Sequence, residues 1–123
     1  MAGAGTRELI ERAVRRVQSE VPALEPLKLV IALELRGRGD VQLYRVGLPG
    51  PEVSKGPATD AKVQVSVPRS HFNELAAEGG VRDWRQAFET GHAKASGPEQ
   101  ILRLVANVVE RHEQRARTPK SRR

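Results

Sequence analysis

Apolar residues recur at helical spacing near both ends of the 123-residue chain. In residues 6–21 they fall one, three and four positions apart, which places them on one face of an amphipathic helix. Between residues 98 and 114 the apolar face is broader and runs from Ile101 to Val109. Pro98 suits the first turn of a helix, because its missing N–H is not needed there. Both ends of the chain therefore predict helices that pack against the rest of it.

The middle of the chain alternates apolar and polar residues with the period of a β-strand. Residues 27–35 have leucine or isoleucine at every second position, and the following "RGRGD" predicts a hairpin turn into a second strand at 41–46. Residues 61–67 alternate cleanly, which predicts a strand with one buried face in an antiparallel sheet. The Gly- and Pro-rich connection allows at most a short edge strand near residues 52–55.

Two short helices are predicted before the last helix, at about residues 69–78 and 82–89. The first directs Phe72 inward, and the second directs Trp84 and Phe88 inward. A short extended link, "GHAKAS", then leads to the last helix. This order of elements predicts an α+β domain with its helices gathered on one face of the sheet.

Composition and spacing argue against catalytic and metal sites. The chain has no cysteine, which excludes disulfides, thiolate metal sites and cysteine nucleophiles. None of His71, His92 and His112 stands in a metal-binding spacing or beside an obvious nucleophile with an orienting acid. The glycines of "GLPGP" alternate with prolines, where a phosphate-binding loop needs backbone N–H donors. We therefore expect no enzymatic activity, no metal and no cofactor.

The positive charge of the chain is concentrated at one end. The formal net charge is +6, and the stretch from Arg111 onward holds six Lys or Arg residues and one acid, Glu113. We expect residues 1–110 to form one domain, and residues 111–123 to hold the end of the last helix and a basic, disordered tail. Such a tail attracts an anionic membrane weakly and, as a less favoured reading, binds nucleic acid without specificity. The start of the chain lacks the pattern of a signal peptide, and we expect a cytoplasmic protein.

Two features of the apolar residues exceed what an ordinary core requires. Three of the four aromatic residues lie between Phe72 and Phe88, and the last helix is apolar over more than half of its circumference. A sheet face of Leu, Ile and Val beneath these helices forms either a packed core or a cavity for an apolar lipid, and periodicity does not separate the two. Alternatively, the last helix is covered by a partner, as in a protein-interaction or dimerisation module.

The stretch from residue 61 to 97 resembles the sterol carrier protein 2 family of small lipid-transfer domains. A valine-rich strand runs into a helix with a Phe and Leu-Ala, and a glycine-ended link leads to a second helix with Ala-Phe, a glycine and a lysine-containing strand. These landmarks are Phe72, Leu75, Ala76, Ala87, Phe88, Gly91, Lys94 and Gly97. The order of the upstream elements agrees too, so the resemblance covers about residues 6–110. The chain departs from the family at residues 68–71, where members often have an acidic residue.

The resemblance implies a five-stranded, mostly antiparallel sheet with helices packed on one face around an apolar tunnel. It also implies binding, without catalysis, of a sterol, fatty acid, fatty acyl-CoA or phospholipid. We expect a monomer or weak dimer that takes a lipid or fatty-acyl ligand, contacts anionic membranes weakly and has no specific nucleic-acid partner. The residues that we expect to line the space between sheet and helices are Leu29, Ile31, Leu33, Val63, Val65, Phe72, Leu75, Trp84, Phe88, Ile101, Leu104, Val105 and Val108.

Overall fold

The computed structural model describes residues 2–117 of the chain, with side chains described for residues 5–115. Residues 118–123, which hold three of the six basic residues of the predicted tail segment, lie outside the described residues. The helices and strands are α1 (Ala2–Glu20), β1 (Val30–Arg36), β2 (Val41–Gly47), β3 (Glu52–Lys55), β4 (Val63–Pro68), α2 (Arg69–Glu78), α3 (Val81–Glu89), β5 (Lys94–Ser96) and α4 (Glu99–Arg117). A 3₁₀ turn, Pro22–Leu24, follows α1. No helix among the described residues is long and apolar enough to cross a membrane.

The predicted α+β architecture is confirmed, because the five strands form one sheet in the order β3-β2-β1-β4-β5. Three of the four strand pairs are antiparallel, and the central pair, β1 with β4, is parallel. The strand predicted at 61–67 for an antiparallel sheet therefore has one parallel neighbour. The helical boundaries differ most at the ends of the chain, where α1 begins at Ala2 and α4 continues to Arg117.

The strand register collects the apolar positions of the strands on one face, which we call the inner face. Successive side chains of a strand point to opposite faces, so residues paired across strands share a face. The rows that cross β2, β1 and β4 on the inner face are Val46–Ile31–Val63, Tyr44–Leu33–Val65 and Gln42–Leu35–Val67. All but one of these nine side chains are apolar or aromatic, which explains why the helices cover this face.

The opposite face of the sheet, the outer face, is open to solvent. Val41 and Leu43 of β2 are 51% and 41% exposed there. Arg45, which lies between Tyr44 and Val46 in β2 and points to the outer face, forms an ion pair with Asp60 at 2.7 Å. The hydrogen bond from Arg45 and its charge lower the pKa of the Asp60 carboxyl, and the same pair raises the pKa of Arg45.

Glycines with close contacts lie directly before α3 and close to the start of α4. The α3 N-terminus is capped from α1, because the Val81 N–H donates to Glu20 Oε1 at 2.8 Å. A Cβ on Gly80 would lie 2.8 Å from the other carboxylate oxygen of Glu20, so a larger residue there would displace this capping side chain. Gly97, directly before α4, has φ of 151° and leaves no room for a Cβ, which would lie 2.6 Å from the carbonyl oxygen of Lys62. The start of α3 is therefore set by a side-chain cap from α1, and the start of α4 by a close backbone contact that requires glycine.

Candidate functional site

A cavity of about 510 Å³ lies between the inner face of the sheet and the helices. Its floor is made by residues of β1, β2, β4 and β5, and its walls by α1, α3, α4 and the 3₁₀ turn. The lining residues are apolar except for three. They are Ile10, Ala13, Val14, Val17, Gln18, Leu24, Leu27, Leu29, Ile31, Leu33, Val46, Leu48, Val63, Val65, Phe72, Val81, Trp84, Arg85, Phe88, Ala95, Leu102, Val105, Ala106, Val109 and Glu110.

The cavity occupies only one end of the inner face. Leu35 and Val67, at the end where α2 begins, are fully buried and do not line it. Ile31 and Val63 lie at the other end of the same strands and line it. The helices therefore pack directly on the sheet at one end and leave a space above it at the other.

Aromatic side chains form the boundary between the packed end and the cavity. Phe72 of α2 is 2% exposed, and its ring meets the Trp84 ring edge-on, with the centroids 6.0 Å apart and an angle of 65° between the planes. Phe88, one helical turn after Trp84, also lines the cavity and is 36% exposed. The aromatic residues that the sequence places inward thus wall the cavity, and Phe88 reaches its outer margin.

Helix α4 covers the cavity without joining the packed core. Its cavity-facing residues are spaced three or four positions apart along the helix and are Leu102, Val105, Ala106 and Val109. None of the residues from 99 to 115 is buried. A helix that buries no side chain completely contributes little to the core, so we expect it to separate from the sheet at low cost.

The three polar lining residues, Gln18, Arg85 and Glu110, include two with partners in the protein. Gln18 Nε2 donates to the Pro49 carbonyl oxygen at 2.8 Å. The Arg85 guanidinium bonds Glu89 of its own helix at 3.1 Å and also pairs with Glu113 of α4. Arg85 thus connects α3 to α4 at the margin of the cavity.

The structure brings nine of the thirteen residues predicted from the sequence to the cavity. These are Leu29, Ile31, Leu33, Val63, Val65, Phe72, Trp84, Phe88 and Val105. Contact between any of them and a lipid stays a prediction.

The other four predicted residues do not line the cavity. Leu75 of α2 is buried in the core instead, and it borders a separate groove. Ile101, Leu104 and Val108 lie on another side of α4, where Leu104 is 49% exposed. The sequence misplaces these three because α4 carries two apolar stripes, and helical periodicity does not show which of them faces the sheet.

Most of the lining that the prediction omitted comes from α1 and from the second stripe of α4. The apolar stripe of α1 was visible in the sequence, but nothing in its spacing shows whether it meets the sheet or a space above it. The residues of α1 that line the cavity are Ile10, Ala13, Val14, Val17 and Gln18.

A second, polar groove of about 430 Å³ lies between α2 and α3. The His71 and His92 rings stack there with centroids 4.9 Å apart, and His92 Nδ1 is hydrogen-bonded to Thr90 Oγ1 at 2.7 Å. Within residues 2–117, no three His, Asp or Glu side chains cluster so as to hold a metal ion. The lining of the groove also includes the carboxylates of Glu74, Glu78 and Asp83.

Comparison with known proteins relates the fold to sterol carrier proteins. No family model matches the chain, and no curated protein matches it in sequence. Among solved structures, the palmitated sterol carrier protein 2-like 2 of Aedes aegypti in solution is similar, with a TM-score of 0.56 and 20% identity over 81% of this chain and 93% of that one. The crystal structure of the Aedes aegypti protein gives a TM-score of 0.54 and 24% identity, over 86% of this chain and 98% of that one.

A third similar structure is the sterol carrier protein domain 2 of Helicoverpa armigera in solution. Its TM-score is 0.51, with 11% identity over 89% of this chain and 79% of that one. Together with the sheet order and the helices on the inner face, these structures show that the chain has the sterol-carrier-protein-2-like fold.

Proposed function

We propose that this protein binds an apolar lipid in the cavity between sheet and helices, and that it carries the lipid without transforming it. The observation that supports this most directly is the cavity itself: about 510 Å³ in a 123-residue chain, with three polar residues in its lining. Small-molecule sites in proteins usually measure about 300–1,000 Å³ and are lined mainly by apolar side chains. The cavity has both properties.

Energetics support an occupied cavity. Protein interiors are close-packed, and an enclosed apolar void costs about 24 cal/mol per Å³. This cavity is open at the margin where Phe88 is 36% exposed, so it carries only part of the cost of a closed void, and its apolar lining still lacks packing partners. An apolar ligand offsets that cost by burying its own surface, at about 25 cal/mol per Å². We therefore infer that the cavity is filled by a lipid during the working life of the protein.

A fatty-acyl chain is the ligand class that we favour. One structure with this fold is that of a palmitated protein, so the fold accommodates a long saturated chain. In the present chain the polar side chains of the lining are few, namely those of Gln18, Arg85 and Glu110, and the buried indole N–H of Trp84 has no hydrogen-bond partner among the described residues. Binding by area therefore tolerates a fatty acid, a fatty acyl-CoA or a sterol-like molecule.

The dimerisation alternative loses much of its basis in this structure. It rested on the breadth of the apolar face of the last helix. The stripe from Leu102 to Val109 faces the cavity of the same chain and is therefore not available to a partner. The remaining exposed stripe of α4 is narrow, with Leu104 as its most exposed large apolar residue.

Native mass spectrometry and a fluorescent fatty acid test the proposal. The protein, purified without detergent, should carry a near-stoichiometric lipid mass, and the lipid should be displaced by the probe. Val65→Trp places a large side chain on the cavity floor. We expect it to weaken probe binding about tenfold or more, because the tryptophan occupies the space that the acyl chain of the probe needs.

The matched control is Leu43→Trp, which adds the same ring on the outer face of the sheet, where Leu43 is 41% exposed. It should bind the probe as the unmodified protein does. Equal probe affinity of the two variants, or a protein without lipid that does not bind the probe, would overturn the proposed function.

A further inference from the structure

Helix α4 carries an apolar stripe that does not face the cavity. Ile101, Leu104 and Val108 recur at spacings of three and four, and Leu104 is 49% exposed. With 3.6 residues per turn, the exposed Leu104 lies nearly opposite Leu102 and Val109, and the half-buried Ile101 and Val108 lie between Leu104 and the cavity-facing side. The cover of the cavity therefore presents apolar side chains outward as well as inward.

Basic residues continue this outward stripe toward the end of α4. Arg111 and Arg115 follow Val108 at spacings of three and seven, and both are exposed and form no ion pair among the described residues. The stretch from Arg111 onward carries +5 of the net charge of +6 of the chain. The outward side of α4 thus combines an apolar half and a cationic half.

We propose that this outward stripe of α4 docks on the surface of an anionic lipid bilayer. A helix with an apolar stripe and adjacent basic residues lies in the plane of the membrane interface, with its apolar side chains among the acyl chains and its cations beside the head groups. Each Lys or Arg near an anionic leaflet contributes about 1 kcal/mol. The inference rests on the proposed function, because it explains how the covering helix of a lipid cavity meets a source of lipid.

Charge makes the bilayer a better occupant than a second copy of this chain. A symmetric contact through the same stripe would bring two cationic stretches to one interface, and like charges there oppose association. A bilayer with anionic lipids satisfies both halves of the stripe at once. Docking also places the least buried helix of the fold, and the cavity beneath it, directly against the membrane.

Vesicle co-sedimentation of the full chain tests the proposal. The probes are vesicles of neutral phosphatidylcholine and vesicles that also contain roughly one third phosphatidylserine, an anionic lipid of the cytoplasmic leaflet. We expect Leu104→Gln to lower partitioning onto the anionic vesicles about tenfold. Leu43→Gln, the same change at a comparably exposed site on the outer face, should alter it less than about twofold.

The charge arm uses Arg111→Gln combined with Arg115→Gln. At about 1 kcal/mol per cation, the double variant should bind the anionic vesicles about 25-fold more weakly. Binding to neutral vesicles should be weak for every variant, since only the apolar half of the stripe contributes there.

Three results would overturn the proposal. In the first, Leu104→Gln behaves as Leu43→Gln does. In the second, sedimentation shows that the protein is a dimer that does not bind vesicles and that Leu104→Gln dissociates. A second copy of the chain would then cover the stripe. In the third, only the arginine variants lose binding and duplex DNA competes as well as anionic lipid, so that the contact is a general polyanion contact.

A vesicle-free assay with the fluorescent fatty acid separates this proposal from the proposed function. Leu104→Gln should keep the probe affinity of the unmodified protein, because Leu104 does not line the cavity. Vesicle binding that depends on Leu104 in a protein that takes up no probe would reject the proposed function and keep the docking surface. Probe uptake without vesicle binding would support the proposed function and reject the docking surface.

Discussion

The two ends of the inner face differ although the same strands build both. At one end, Leu35 and Val67 are fully buried beneath α2, which itself buries Phe72, Leu75 and Ala76. At the other end, β1 and β4 present Ile31 and Val63 to a cavity, and the covering helix α4 has no buried residue between 99 and 115.

The difference shows that alternation along a strand predicts which side chains point to the inner face. It does not predict whether a helix packs against those side chains or leaves a cavity over them. Leu35 and Ile31 have the same chemistry and the same face, but one is part of a close-packed core and the other is part of a binding site. What separates them is whether the helices pack directly against the side chain, as at Leu35, or leave a cavity beside it, as at Ile31. Breaking the two ends in turn should therefore have different consequences, for stability at one end and for ligand binding at the other.

The largest expected contrast is between Leu35→Ala at the packed end and Leu102→Ala at the cavity end. Leu35 is fully buried, so its truncation should lower the free energy of unfolding by about 3–5 kcal/mol. Leu102 already faces a space, and we expect its truncation to cost about 1 kcal/mol or less in the lipid-free protein. Urea unfolding, followed by far-UV circular dichroism, measures both. Equal losses would mean that the cavity end is packed as tightly as the core.

Glu20 tests whether α3, which bears Trp84 and Phe88, is held in place by α1. Glu20→Ala removes the carboxylate that accepts the Val81 N–H, and the loss of such a helix cap should lower the free energy of unfolding by about 1 kcal/mol. If the cap also positions the cavity wall, the fluorescent fatty acid should bind more weakly. Glu78→Ala, an exposed change at the end of α2, is the control. A Glu20 variant as stable as this control would show that α3 needs no cap from α1.

The Arg85–Glu113 ion pair tests how α4 is held over the cavity. Glu113, whose side chain is 14% exposed, is the partner from α4, and Glu89 is the partner from α3 itself. Pairs near the surface contribute roughly 0.2–1 kcal/mol, so Glu113→Gln should accelerate exchange of the fatty acid about two- to fivefold. Glu89→Gln leaves the link between the helices intact and should change the exchange rate less. Stopped-flow transfer of the fluorescent probe measures both rates. An identical effect of the two variants would show that the Arg85–Glu113 ion pair does not limit the opening of α4.

The fold could be predicted from the sequence more completely than the site. Alternation at 61–67, the glycines around α3 and the broad apolar stretch after Pro98 predicted the elements close to where they lie. The parallel pairing of β1 with β4 has no local signature, since it depends on where the chain re-enters the sheet. Periodicity alone did not separate a packed core from a lipid cavity. The landmarks between residues 61 and 97 pointed to the sterol carrier protein 2 fold and so to a cavity.

The predicted residues line the cavity where a side chain has one inward direction, and some do not line it where a helix has apolar residues on more than one side. Strand residues such as Ile31 and Val65 can point only to one face or the other, and the aromatic residues of α3 lie on a single apolar side. Helix α4 has apolar residues around most of its circumference, so Leu104 and Leu102 were equally good candidates in the sequence. Only the rotation of the helix about its axis, which is set by its contacts in the folded protein, decides between them.

The smallest expected effect comes from the outer face at the cavity end, where Arg45 pairs with Asp60 just before β4. The folded protein lowers the pKa of Asp60 from its ordinary value of 3.8, chiefly through the hydrogen bond from Arg45. The pair therefore stabilises the folded state above that value, and its contribution is lost as the pH falls through the lowered pKa of the folded protein. Asp60→Asn should be slightly less stable than the unmodified protein at pH 7, and the difference should shrink below about pH 3.8. Arg45→Gln should reproduce this pH dependence, and the double variant should add nothing to it. A difference that persists at low pH would assign Asp60 an uncharged role in the loop before β4, and would remove this ion pair from the forces that hold the floor of the cavity.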